Sequence, residues 1–494
     1  MSALSRDQRQ WLVAGCISLG LFAAALDATV NVALPTIADA FDTDISSLQW
    51  VIIAFVTTNT ALGVSMGSAG DRFGLVRFFR LGLVTYVMAM LLLGLAPNLP
   101  FLVGARVLQG FAGAAVLSVG PALIALSFAA GERGRALGLM GGTQAIGSVA
   151  AGFAGGVLIE AFGWPIIFLG RIPILLVALL LALVVLRDEQ PQRPEPDARA
   201  PRFDLAGAIA LAVAVASLLV GLNLLRATSV GALPGLLLIL SAVVATSIFV
   251  RVELRAPWPV FDLSLLRHRP FAAAFLTLLF NSLGAFTIWF VFPFFVADVL
   301  DRGPATLGLL LGVLGLCSAG SAPVGGWLAD RLPAQRLVTA ASATVAVALF
   351  WISTLDAEST VVGAALPLAL AGIGQGALRA AARTLVFNSV FPERFGTASG
   401  ALNLGGSMGL VLSVAAFTAF FAIRLDSHTA QLVEQGLSEA IAAGPAHVEA
   451  FRETFRLSML VVLLGVAASS LAWRPTSASA SSPGTGSPAP RSAD

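Results

Sequence analysis

Three charged residues stand inside long apolar runs, where charge is expensive: Asp27, Arg106 and Arg171. Ionisable groups in such runs face a bundle interior or a water-filled cavity, and they mark ion or substrate paths. A carboxylate there is pulled two ways: desolvation favours the neutral acid, and a nearby guanidinium favours the carboxylate. If a bound molecule or a helix movement alters that balance, Asp27 binds and releases a proton. Asp27 and Arg106 are therefore the candidate proton-coupling pair, with a permanent ion pair as the alternative. Arg171, with Glu160 near an outer helix end, forms a candidate outer charge network. No other chemistry is legible. There is no P-loop, no nucleophile motif and no His/Cys/carboxylate cluster at metal-ligand spacing, so no enzyme, ATP drive, metal or cofactor is expected. Cys16 and Cys317 lie in apolar runs and read as small core residues, and His268, His428 and His447 fall in loops.

The elements that must position these residues are helices in lipid. The 494-residue chain is 57% hydrophobic and 11% charged, with a mean hydropathy of +0.90. A soluble chain carries about 25% charged residues. Fourteen apolar runs lie between residues 11 and 473, each close to the roughly 20 residues that a spanning helix needs. The expected fold is an all-α integral membrane bundle. Every basic residue is Arg, and with the N-terminus inside, 21 fall in inner segments against 5 in outer ones. That asymmetry places both termini in the cytoplasm. Arg6 and Arg9 precede a run that resembles a signal peptide, but it continues past Asp27 and reads as a retained first helix. No basic block interleaves with aromatics, so nucleic acid is not an expected partner.

The chain divides at two longer inner stretches. Residues 1–186 form a six-helix half, 187–203 a charged, Pro-rich cytoplasmic linker and 204–252 two inserted helices. Residues 253–270 form a cytoplasmic or interfacial loop, 271–473 a second six-helix half and 474–494 a disordered tail rich in Ser, Pro, Ala and Gly. Arg424 to Glu453 is the largest external segment. A weak repeat relates the halves. Helix two ends in "GSAGDRFG" (Gly67 to Gly74) and helix ten in "GGWLADRLP" (Gly325 to Pro333), each placing Asp-Arg at an inner helix end.

The first of these segments, with Gly67, Asp71, Arg72, Gly74 and Arg77, resembles the signature loop of the major facilitator superfamily. The resemblance implies a conformational latch on the cytoplasmic side, with Asp330 and Arg331 as the counterpart. Arg106, Gln109 and Gly110 in "LVGARVLQGFAG" resemble that superfamily's helix-four motif, which ties the Arg to proton coupling. "LDATVNVALPTI" (Leu26 to Ile37) and "PVFDLSLLRHRPF" are similar to the fourteen-helix drug:proton antiporter branch, of multidrug efflux type. Three segments depart from it. Phe153 stands where helix five usually has Pro, Arg171 replaces the usual Asn, and Gly405 and Gly406 replace a common Arg-Gln pair. These departures bear on cargo more than on fold.

By analogy with that family, helices 1, 2, 4, 5, 9, 10, 12 and 13 enclose a cavity. Its polar candidates are Asn31, Asn59, Gln109, Gln144, Asn281, Gln375, Arg379 and Asn403, and its aromatic candidates Phe286, Trp289 and Phe290. Arg379 and Arg383 share one helix face near its inner end. Snorkelling is the plain reading; facing the cavity, they would favour an anion. The resemblance implies a monomer in a bacterial inner membrane that exports small amphipathic compounds, drugs or antibiotics, by proton antiport. The alternatives are a lipid or anionic metabolite as cargo, or a non-transporting sensor or scaffold.

Overall fold

The computed structural model describes residues 5–43, 45–186, 203–226, 232–256 and 259–471, with no strand among them. The expected linker, 187–203, lies outside the described residues but for Phe203, as does the whole expected tail, 474–494. Among the described residues, fourteen helices are long and apolar enough to span a membrane, counting one bent pair as a single span. They are α1 (Asp7–Phe41), α2 (Ser47–Phe73), α3 (Leu75–Gly94), α4 (Leu99–Ser127), α5 (Arg133–Phe162), α6 (Ile166–Val185), α7 (Leu205–Leu225), α8 (Ala232–Glu253), α9 (Arg269–Val299), α10 (Ala305–Ala329), α11 (Ala334–Ile352), α12 (Val361–Phe387), α13 (Pro392–Glu434) and α14 (Gly444–Leu471). Helices satisfy every backbone polar group internally, which lipid demands.

Three apolar cores hold the bundle. One unites α1 to α6 around Ile17, Phe79, Tyr86 and Phe168. Another unites α9 to α14 around Phe292, Phe295, Phe451 and Phe455. A third lies between them and ties α7, through Ala208, Leu211, Val215 and Leu219, to α2, α9, α12 and α13. The inserted helices α7 and α8 pack on each other, and α7 packs on α2.

Helix breaks set the site. A 3-10 turn at Leu26–Ala28 interrupts α1 and carries Asp27. Beyond Ala285, α9 breaks into short pieces and ends in a π turn at Phe295–Val299.

The Arg424–Glu453 segment is mostly an extension of two helices. The 43 residues of α13 would extend about 65 Å at 1.5 Å per residue, roughly twice the hydrocarbon thickness. The extensions are joined by the Arg424–Glu453 ion pair, with His428 Nε2 3.2 Å from Glu453.

The segment after α8 does not rest on lipid alone, because Val260, Phe261 and Leu265 are buried in the third core. Its backbone is clamped by Glu253, which accepts from the amides of Val260 (3.1 Å) and Phe261 (3.2 Å). Asp262 pairs with Arg394 at the start of α13. Burial opposes ionisation of Asp262, but hydrogen bonds from Ser264 and the charge of Arg394 outweigh it and hold the carboxyl below the usual range. A depressed carboxyl contributes stability above its unfolded pKa, near 3.9, and loses it as pH falls through the lower folded value. Asp262→Asn should therefore speed hydrogen exchange over residues 259–268 at pH 7, an effect that fades in acid. The partly exposed pair is worth at most about 1 kcal/mol. Equal exchange at neutral pH would show that the pair does not hold this segment.

Candidate functional site: an ion cluster, a central cavity and two latches

Asp27 is met by three donors on one oxygen. Its Oδ1 accepts from Arg106 Nη1 (2.8 Å), Gln109 Nε2 (2.8 Å) and Arg171 Nη1 (2.9 Å). The 3-10 turn that breaks α1 places this carboxylate against α4 and α6. Arg106 is 1% exposed and Asp27 15% exposed. Arg106 is fixed further by its Nε on the Val51 carbonyl (2.9 Å) and by the faces of Phe55 and Phe168. Arg171 donates its second nitrogen to Thr29 Oγ1 (2.8 Å), while its Nε has no partner among the described residues. Gln109 also reaches Tyr86 Oη at 3.1 Å.

One carboxylate thus faces two guanidiniums, and among the described residues no second acid pairs with either. Glu160 does not join the cluster. It is exposed near the end of α5, where a carboxylate keeps its solvation without a partner. Sequence reasoning missed Tyr86 and Thr29. The first is the chain's single tyrosine, and the second lies two residues past Asp27 in the helix-one segment, so each carried a signal.

A cavity of about 380 Å³ lies at the centre of the bundle, walled by α1, α2, α4, α5, α9, α10, α12 and α13. Asn59, Gln144, Asn281, Phe286, Gln375, Arg379 and Asn403 line it, and so does Arg383. No Asp or Glu is among its lining residues. Arg383 Nη1 stands 3.5 Å from Gln144 Oε1, and Asn403 donates to the Leu117 carbonyl at 2.7 Å. Asn59 Oδ1, Asn281 Nδ2 and Gln375 Nε2 are buried without a protein partner among the described residues. A buried amide left so is costly unless something else satisfies it.

Four expected cavity residues lie elsewhere. Asn31, four residues after Asp27, would share its face in an unbroken helix; the 3-10 turn resets the phase and leaves it exposed. Gln109 belongs to the ion cluster. Trp289 is 41% exposed, and Phe290 packs on the core around Phe292, because α9 breaks just beyond Phe286.

Two reciprocal sets of hydrogen bonds join the halves at one end. Asp71, at the end of α2, accepts from the amides of Gly396 (2.7 Å) and Thr397 (2.7 Å) and from Thr397 Oγ1 (2.8 Å) at the start of α13. Asp330, just past α10, accepts from the amides of Gly134 (2.7 Å) and Arg135 (2.8 Å) at the start of α5. Each acid meets the unpaired N–H groups and positive dipole end of a helix in the other half. One turn before each Asp the backbones cross on glycine. A Cβ at Gly67 would strike the Gly396 carbonyl, and one at Gly326 would strike that of Gly134.

The other latch candidates make different contacts. Gly74 makes the turn after α2 with φ of +107°, a conformation that costs Gly little. Arg72 donates to the Pro259 carbonyl at 3.3 Å and lies over Phe203. Arg77 is exposed beside Gly74. Arg331 does not reach across, because its guanidinium folds onto the Trp327 ring, 3.9 Å from the centroid, in its own helix. The further bridge comes instead from Arg133, which the sequence reading passed over. It donates to the Phe387 carbonyl at 2.9 Å and lies over Phe395.

A many-helix bundle with a central cavity and two symmetric closures at one end is the build of a secondary carrier. The chain belongs to the Major Facilitator Superfamily, whose family model matches residues 16–414. It is 27% identical to the riboflavin transporter RibZ of Clostridioides difficile (strain 630), over 86% of this chain and 92% of that one. It is 29% identical to the tetracenomycin C resistance and export protein of Streptomyces glaucescens, over 81% and 74%. Among solved structures it resembles the human organic anion transporter MFSD10, with a TM-score of 0.62 at 15% identity, covering 93% of this chain and 100% of that one. That last likeness speaks to fold alone.

Proposed function

We propose that this carrier exports small amphipathic organic compounds with an anionic or acceptor-rich head group, in exchange for protons. The observation that carries the reading is the cavity's charge. Arg379 and Arg383 line it, and no carboxylate does. Arg stays charged at any relevant pH and binds carboxylate or phosphate through paired donors. The buried Asn281 and Gln375 N–H groups add donors that a cargo oxygen would satisfy. Relatives named for antibiotic export and for riboflavin transport fit an organic cargo. The latches would close the cytoplasmic end while cargo leaves, and the Asp27 cluster would exchange the proton when the two halves rock and loosen its arginines.

The test is uptake into inverted vesicles of anionic, neutral and cationic compounds, wild type against Arg379→Gln with Arg383→Gln. Each hydrogen bond to a charged group is worth about 1.5–3 kcal/mol. The double change should therefore weaken apparent affinity for anions by about a hundredfold or more and spare neutral compounds. Preferential uptake of cations, indifferent to both arginines, would overturn the reading.

A further inference from the structure

The central cavity is not the whole of the cargo-sized space. A second pocket of about 150 Å³ lies where α2, α7 and α13 meet, lined by Ile52, Val56, Leu219, Leu222, Val411 and their neighbours. A cavity of that size accepts one apolar group about as large as benzene. Its lining is aliphatic except for Thr57 and Asn223, and the Asn223 amide nitrogen already donates to the Leu219 carbonyl at 2.8 Å.

The pocket's position ties it to the site already described. Leu410 lines both this pocket and the central cavity, so the two spaces adjoin at that side chain. α2 belongs to one half and α13 to the other, and their seam is where the halves must part. α7 lies over that seam. The helix packs against Ala61 and Val64 of α2 in the third core through Ala208, Leu211, Val215 and Leu219, lines the pocket with Leu219, Leu222 and Asn223, and scarcely meets α13. An inserted helix held by α2 but scarcely touching α13 makes a side wall that can admit a chain at the seam without opening the whole bundle.

We infer that this seam pocket holds the apolar tail of the same molecule whose charged head occupies the central cavity. The carrier's cargo is accordingly an anionic amphiphile, with head on the Arg379 side of Leu410 and tail on the α7 side. The inference rests on the anion-binding reading of Arg379 and Arg383. The two compartments differ as a head and a tail differ. One holds two guanidiniums and unpartnered amides, and the other offers aliphatic walls. A bilayer lipid resting against the outside of α7 would need neither the shared Leu410 nor the arginines.

The test is photo-crosslinking in nanodiscs with octyl phosphate carrying a diazirine at the tail end. Labelled peptides are mapped by mass spectrometry, and binding of phenyl phosphate, a head without an alkyl chain, is measured in parallel. The expected labels fall on residues 52–57, 219–223 and 410–415. They should drop at least tenfold in the Arg379→Gln, Arg383→Gln protein and again when Val411→Trp fills the pocket. The filled variant should bind phenyl phosphate as wild type does. Leu222→Trp fills the same pocket from α7 should the first variant fail to fold. Pocket labelling that persists at full strength without the arginines would mean an ordinary lipid groove and would overturn the inference. Absence of pocket labelling, with phenyl phosphate still bound through the arginines, would overturn it and leave the cavity reading intact. Phenyl phosphate binding that ignores the arginines would overturn that reading itself.

Discussion

Asp27→Asn is expected to reduce proton-driven uptake in inverted vesicles to background. The replacement is nearly isosteric, and its side-chain oxygen can still accept from Arg106, Gln109 and Arg171, whose donors lie 2.8–2.9 Å from Asp27 Oδ1. It removes the group that can take a proton and leaves two guanidiniums without their counter-charge. Breaking a buried pair in this way costs about 3–5 kcal/mol, so thermal stability should fall as well. A second change separates the two effects. Arg171→Gln in the Asp27→Asn background returns the cluster to its original excess of one positive charge. It should recover much of the lost stability and none of the gradient-driven uptake. Recovery of both would mean that Asp27 serves only as a structural ion-pair partner. Full uptake by Asp27→Asn alone would remove it from the coupling mechanism altogether.

The second large effect is expected at the glycine crossings. A side chain at Gly67 or Gly326 meets a backbone carbonyl of the opposite half, and backbone cannot swing aside as a flexible side chain can. Gly67→Leu or Gly326→Leu should therefore wedge the latched end open and abolish transport. The readout is a cysteine placed at Ser407 in the cavity wall, in a protein freed of Cys16 and Cys317. Its reaction with an impermeant thiol reagent added from the latched side should rise at least tenfold. Loss of one acid is milder, because each latch has a counterpart. Asp71→Ala strands the Gly396 and Thr397 amides, and an unmet buried donor costs about 1–3 kcal/mol, yet Asp330 still holds Gly134 and Arg135. The Asp71→Ala, Asp330→Ala pair should open the end far more than either change alone. Unchanged accessibility in the glycine variants would show that these crossings do not form the seal.

Much of this architecture was legible in the sequence, for physical reasons. Lipid forces each crossing into a long apolar helix, so the apolar runs reveal the spans directly. The direction of each span assigns depth, and depth alone suggested that Asp27, Arg106 and Arg171 lie near one another. The repeated Asp-Arg at two helix ends marks two related halves, and the resemblance of the first to a family signature implies a latch. Side-chain direction was harder to read wherever a helix breaks. The 3-10 turn beside Asp27 turned Asn31 away, and the irregular end of α9 sent Trp289 and Phe290 away from Phe286. Arg331 misled because its neighbour Trp327 offers a ring face within its own helix, a contact that no spacing rule ranks above a cross-bundle pairing. Arg383 has the spacing and depth of a snorkelling residue, and only the packing of α12 against the cavity shows which way it faces.

The unbalanced cavity also has an electrical consequence. Two positive charges line a chamber, and no acid is among its described lining residues. A carrier that turns such a chamber from one face of the membrane to the other shifts where those charges sit in the transmembrane field. One charge crossing the full field exchanges about 2.3 kcal/mol per 100 mV. The empty protein and the protein holding a dianion would therefore reorient with different voltage dependence. Cargo charge would set not only which molecules bind but also whether membrane voltage assists or opposes the return of the empty carrier.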